Sequence, residues 1–204
     1  MSKNEEKEEK QEKINIFALG NTTVGKTSYI IKYTENTFQQ VYLTTTGLDY
    51  KTKTIILPNN KEYILFFYDT AGEERFRSIA FNSIKNADGI LLFYDITDKS
   101  SFESISSWMK SIYDAKEKNF PIILLGNKCD LKEERAVTKE EGKQKANQYG
   151  CSFYEISNKD RINIEEPSKE LLDKIIEYQK GNNNSNKDNI NLKLPKNEET
   201  GCGC

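Results

Sequence analysis

The sequence predicts an α/β fold: a sheet of about six strands, mostly parallel, with helices on both faces. Three observations carry that expectation. Apolar runs of strand length alternate with amphipathic segments of helix length. The run at residues 89–95 is apolar almost throughout, as a strand covered on both faces must be. The residues with chemical potential cluster just after such runs, at the carboxyl ends of strands, where an open α/β sheet places its ligand.

The elements follow in order. Residues 1–13 are dominated by Lys and Glu with no apolar face and read as a solvated, disordered arm. Residues 14–19 read as the first buried strand. Gly20, Asn21, Thr22, Thr23, Val24, Gly25, Lys26 and Thr27 then spell G-x-x-x-x-G-K-[ST], and residues 26–33 read as a helix. In this strand–loop–helix context the motif is a phosphate-binding loop. Backbone N–H groups and the helix N-terminus face phosphate oxygens. Lys26 adds a point charge for the outer phosphates, and the Thr27 hydroxyl is placed to ligate Mg2+. In the polar stretch 34–40, Phe38 is the one large apolar group. It is either an aromatic tucked into the core or a ring covering the face of a bound base.

Residues 48–57 and 62–68 form a hairpin across Pro58-Asn59-Asn60. The second strand leads into Asp69-Thr70-Ala71-Gly72. A carboxylate at that position, beside a phosphate loop, serves a magnesium ion. Gly72 lets its backbone approach the terminal phosphate. Residues 73–86 are charged and irregular and read as a mobile helix. After the strand at 89–95, Ser100 and Glu103 have the spacing of a capping box for a helix through about residue 118. Residues 121–126 form the next strand and lead into Asn127-Lys128-Cys129-Asp130. Thr138 and Glu141 make a second capping box, for a helix that stops near Gly150. Residues 152–156 are a short strand followed by Ser157-Asn158-Lys159. Ile164, Pro167, Leu171, Leu172, Ile175 and Ile176 recur at helical spacing. Residues 181–204 turn to Asn, Ser and Lys and read as a disordered tail ending Gly201-Cys202-Gly203-Cys204.

Composition removes several classes of chemistry. The 204-residue chain has no histidine, so Ser–His–Asp, Cys–His and His-ligated zinc sites are excluded. A net charge of −2 gives no electrostatic case for nucleic acid. Four scattered cysteines do not make a disulfide framework. The N-terminus is charged, unlike a signal peptide, and no apolar run approaches the ~18 residues of a membrane span. The expected setting is the cytosolic side of the cell.

Phosphate loop, D-x-x-G, Asn-Lys-x-Asp and Ser-x-Lys, in that order and on successive strand ends, resemble the Ras-superfamily small GTPases. The resemblance covers roughly residues 14–180 and implies the phosphate-loop GTPase fold, with GTP and GDP as ligands. Asp130 would accept from the guanine N1–H and exocyclic amine, a donor pair that adenine lacks. Asn127 would brace the loops, Lys128 would lie along the base, and Ser157, Asn158 (through its backbone N–H) and Lys159 would support it. Phe38 corresponds to the ring that stacks on guanine. Thr45 matches a switch threonine that reaches Mg2+ only when the third phosphate is present. Thr27, Thr45 and Asp69 would thus hold the metal, and Lys26, Thr45, Gly72 and Glu73 would carry the hydrolytic step. Loss of the third phosphate would release both Thr45 and Gly72.

Within the superfamily the chain resembles the Rab branch. Thr45-Thr46-Gly47-Leu48-Asp49-Tyr50 stands where that branch has T-I-G-V-D-F, and Asp69 to Phe76 stands where it has D-T-A-G-Q-E-R-F. The terminal Cys-x-Cys resembles the double-prenylation signal of that branch, with Cys202 and Cys204 as lipidation sites. Two chains anchor stably where one is marginal. The resemblance implies an exchange factor, an activating protein, a prenyl-dependent escort and effectors. It also implies a lipid anchor on the cytoplasmic face of an intracellular membrane, a cytosolic pool, and a role in vesicle trafficking.

Some positions depart from the pattern. Glu73 replaces the glutamine that orients the attacking water, and a carboxylate accepts but does not donate. Slow intrinsic hydrolysis is one consequence. Help from a partner, or a protonated Glu73, is the other reading. A GTP-binding interaction module with negligible hydrolysis is therefore an alternative, and an ATPase or nucleotide kinase is a more distant one. Thr23 is unusual in its loop. Tyr68 stands in place of Trp, and Asn158 replaces Ala with its backbone role expected to survive.

Overall fold

The computed structural model describes residues 11–35, 48–70 and 84–191. Six strands form one sheet in the order β2-β3-β1-β4-β5-β6. They are β1 (Glu12–Leu19), β2 (Leu48–Ile56), β3 (Glu62–Thr70), β4 (Gly89–Asp95), β5 (Ile122–Asn127) and β6 (Ser152–Glu155). Only β2 runs antiparallel, paired with β3 from Leu48↔Thr70 to Ile56↔Glu62. The other four pairings are parallel. The sheet is therefore the mostly parallel one expected, with a hairpin on one edge.

Strand alternation sorts the side chains into two cores. From β1, Ile14, Ile16 and Ala18 go to one face and Phe17 and Leu19 to the other. The first face is covered by α1 (Lys26–Glu35), through Tyr29, Ile30 and Tyr33, and by the C-terminal helix, through Leu171, Leu172 and Ile175. The second is covered by α2 (Lys99–Glu103), α3 (Ile105–Ala115) and α4 (Lys139–Tyr149), where Phe102, Trp108, Met109, Ile112 and Ala146 are buried. Every residue of β4 and β5 is buried. That is why those two strands carry continuous apolar runs, whereas edge strand β2 alternates inward and outward residues.

The capping-box reading at Ser100 and Glu103 is overturned. Asp98 is the N-cap of α2: its Oδ1 accepts from the Ser100 N–H at 2.9 Å and the Ser100 hydroxyl at 2.7 Å. Both sites had capping chemistry, and the carboxylate two residues earlier satisfies the orphan amide first. The single helix expected there is interrupted at Ser104, whose hydroxyl bonds back to the Ser100 carbonyl at 2.9 Å. The Thr138–Glu141 capping box forms as read, and Gly150 closes α4 in the left-handed conformation at φ 65°.

Element ends differ from expectation at both termini. β1 begins at Glu12, inside the stretch read as a solvated arm, because Glu12 and Lys13 find register partners in Tyr63 and Ile64. The C-terminal helix, α5 (Glu166–Asn191), runs past the change of composition at Gly181. Helical turns propagate cheaply from a docked segment even where propensity is poor. Ile164 lies before this helix rather than in it, and Pro167 sits in its first turn, where the missing N–H costs nothing.

Candidate functional site

The carboxyl ends of β1, β3, β4 and β5, and the loop after β6, meet at one end of the sheet. The loop between β1 and α1 needs special backbone at three positions: Gly20 at φ 134°, Thr23 at φ 61° and Gly25 at φ 97°. A Cβ on Gly20 would overlap the Phe93 carbonyl of β4. Glycine is required there by the close approach of two strands. Thr22 and Thr23 are both exposed. Thr23 holds a left-handed conformation that a β-branched residue resists.

Lys26 is buried, and its ammonium donates to the Gly20 carbonyl at 3.0 Å and the Asn21 carbonyl at 2.7 Å. Burial pulls its pKa down to about 8 against the favourable field of Asp69. An anion beside it would raise that value again. The Thr27 hydroxyl donates to Asp69 Oδ2 at 2.5 Å, joining the start of α1 to the end of β3. A hydroxyl and a carboxylate side by side are hard oxygen donors, a set that fits Mg2+. Among the described residues no three His, Cys, Asp or Glu side chains converge on one point. Thr27 and Asp69 are the described residues that would hold such an ion.

On the other side lie the loops after β5 and β6. Asn127 is buried and its Nδ2 donates to the Val24 carbonyl at 2.7 Å, 103 residues away in sequence. Ser157, fully buried, donates its hydroxyl to Asp130 Oδ1 at 2.6 Å, which orients that carboxylate. The Ser157 hydroxyl oxygen in turn accepts from the Asp160 N–H at 2.9 Å. Backbone bonds from Cys129 to Ile156 and from Ile156 to Gly126 lock the two loops together. Lys159 is exposed. Asn158 is buried and its Nδ2 donates to the Gly25 carbonyl at 3.0 Å. The Oδ1 atoms of both Asn127 and Asn158 are buried without a hydrogen-bond partner among the described residues.

The structure therefore brings Gly20 to Thr27, Asp69, Asn127, Lys128, Asp130 and Ser157 to Lys159 to one end of the sheet. Phe38, Thr45, Gly72, Glu73, Cys202 and Cys204 lie outside the described residues.

Three contributions are missing from the sequence reading: Asp95 altogether, and the side-chain bonds of Asn21 and Asn158, which enter it only for their backbones. Asp95, at the end of β4, pairs with Lys128 at 2.5 Å and accepts from the Thr97 N–H and hydroxyl. Its position after an apolar run was the available signal. Asn21 donates to the Ser104 hydroxyl at 3.1 Å and accepts from the Trp108 indole N–H at 3.0 Å. These bonds tie the phosphate loop to the break between α2 and α3, and no local pattern announces them. The Asn158 side chain is the third.

Comparison with known proteins agrees with this geometry. The Ras family model matches residues 15–177. The chain is 38% identical over 162 residues to the human Ras-related protein Rab-3A, covering 79% of this chain and 73% of that one. It is 34% identical over 196 residues to bovine Ras-related protein Rab-3C, covering 93% and 86%. Human Ras-related protein Rab-3D is 35% identical over 162 residues, covering 79% and 74%.

Proposed function

The chain belongs to the Ras family, on its Rab branch, and from that premise we propose that it is a lipid-anchored switch of vesicle trafficking. Membership makes it a GTPase that binds GTP and hydrolyses it to GDP and phosphate. The observation that most supports the site assignment is the convergence of the two asparagine amides on the Val24–Gly25 segment. The loop read as holding phosphates is thereby hydrogen-bonded to both loops read as holding the base.

In this reading Gly20 to Thr27 wrap the phosphates with backbone N–H groups, and Lys26 neutralises the outer ones. Asp130, oriented by Ser157, selects guanine. Lys128, Asn158 and Lys159 complete the base side, and Phe38 covers the ring. Thr27 and Asp69 would hold Mg2+ together with Thr45. When bound, the ion supplies positive charge against the phosphate oxygens. No side chain of this set makes a covalent bond. Rate comes from placing water and charge, the work assigned to Lys26, Thr45, Gly72 and Glu73. Departure of the third phosphate would free Thr45 and Gly72, which gives exchange factors, activating proteins and effectors two states to tell apart.

Prenyl groups on Cys202 and Cys204 would supply the anchor, with an escort carrying a cytosolic pool. None of the described helices is long and apolar enough to cross a membrane, so attachment in this reading rests on those lipids. Glu73 favours a second reading, a GTP-binding module with negligible turnover. Nucleotide competition and affinity capture test the proposal together. GTP must displace labelled GDP where ATP does not, and the captured partners must differ between the GTP and GDP states. Equal displacement by ATP, or identical partner sets, would sink it.

A further inference from the structure

The geometry points to the side chain of Asn158 as a positioning residue that ties the base loop to the phosphate loop and slows nucleotide release. The inference rests on reading these loops as the guanine-nucleotide site. The Ras-superfamily pattern that the sequence resembles has alanine at this place, serving through its backbone. A methyl group in that place has no donor to offer the phosphate loop. Here the amide is buried and its Nδ2 reaches the Gly25 carbonyl at 3.0 Å, across 133 residues of sequence.

That carbonyl is the one whose other bond, from the Tyr29 N–H at 3.0 Å, starts the first turn of α1. One residue earlier, the Val24 carbonyl takes the Asn127 amide at 2.7 Å. Two consecutive carbonyls, immediately before Lys26, are therefore held by two separate loops. The two Nδ2 atoms also occupy the space a Gly25 side chain would fill: a Cβ there would overlap Asn127 Nδ2 and lie 3.0 Å from Asn158 Nδ2. Asn158 meanwhile leaves its Oδ1 buried and unpartnered. The Nδ2 bond gives the residue its purpose. With it, the loop presenting Ser157 and Lys159 does not move away from the base without pulling on the carbonyl next to Lys26. Base release and phosphate release become one event instead of two.

The test uses the full chain with Mg2+. Wild-type protein is first titrated with GDP, and failure to bind would defeat the guanine-site reading itself. Release of radiolabelled GDP into excess unlabelled GDP is then followed for wild type, Asn158→Ala and Asn158→Asp. Affinities for GDP and GMP are measured in parallel. Asn158→Ala restores the residue of that pattern, and Asn158→Asp keeps the shape but turns an oxygen toward the Gly25 carbonyl. Loss of one buried hydrogen bond predicts release about fivefold faster for Asn158→Ala, and faster again for Asn158→Asp. The GDP-to-GMP affinity ratio should fall by a similar factor, since the phosphate loop is what loosens. Unchanged release in both variants would overturn the inference. So would equal weakening of GDP and GMP, which would mean the side chain serves the base alone. A lowered melting temperature with unchanged release would assign it to packing and overturn the inference equally.

Discussion

Replacing Gly25 by alanine tests the architecture of the site most directly. Gly25 holds φ 97°, a conformation that costs a residue with a Cβ on the order of 1–2 kcal/mol. The new methyl would also overlap Asn127 Nδ2. That contact is with the working end of a buried amide, not the free tip of a flexible chain. Asn127 must therefore move, and its 2.7 Å bond to the Val24 carbonyl is lost. Val24 is buried, so its carbonyl has no water to turn to. An unsatisfied buried acceptor costs about 1–3 kcal/mol. Together the two effects predict about 2–5 kcal/mol of destabilisation, a large share of the ~5–15 kcal/mol that holds a domain of this size. In thermal unfolding of nucleotide-free protein this corresponds to a fall of about 4–20 °C. The damage is concentrated where Lys26 begins, so GDP affinity should fall further than stability alone requires, by about 30-fold or more. Calorimetric titration with GDP and a melting curve on the same preparation give both numbers. A Gly25→Ala protein with GDP affinity within about threefold of wild type would refute the claim that the two asparagine amides set the loop's shape.

Other expectations follow from separate features. Gly142→Ala should destabilise, although alanine is worth ~1 kcal/mol more than glycine within a helix. The added methyl in α4 would overlap the Tyr94 hydroxyl and lie 2.5 Å from Phe153 Cζ. Overpacking at ~1–3 kcal/mol less that propensity gain leaves up to ~2 kcal/mol of net loss, and a melting temperature lower by up to about 8 °C would show it. Glu141 is held at a pKa of about 2, first by Lys99 and then by the Thr138 cap. A depressed carboxylate stabilises fully above its ordinary value of 4.5 and loses that contribution progressively as pH falls toward 2. The melting difference between wild type and Glu141→Gln should therefore shrink on acidification from pH 6 to pH 3, and a constant difference would contradict the linkage. Glu73→Gln should raise single-turnover GTP hydrolysis by about tenfold or more, because an amide donates where a carboxylate does not. Equal rates would end the case for Glu73 as the brake.

Much of this was legible in the chain because it is written locally. The β4 run declared a central strand, and the Thr138–Glu141 pair declared its own cap. The phosphate loop was readable because its constraint is a backbone path, and Gly20, Gly25 and Lys26 record that path at fixed spacing. What was misread or missed depends on partners far apart in sequence. The helix starts at Asp98, whose carboxylate takes the Ser100 amide, two residues before the Ser100–Glu103 spacing places it. Asn158 looked like a silent replacement because its partner, Gly25, is 133 residues away. The Asp95–Lys128 pair joins two strand ends that neither segment predicts alone.

The bond from Trp108 to Asn21 also has an optical consequence. The chain contains a single tryptophan, so its intrinsic emission arises from one indole. That indole is largely buried in the core beneath α3, and its N–H is donated directly to a side chain of the phosphate loop. Any rearrangement of Asn21 alters the hydrogen bond on the excited ring. Emission from this one indole should therefore report displacement of the Asn21 side chain, and a titration with GDP followed by intrinsic fluorescence measures whether nucleotide produces it.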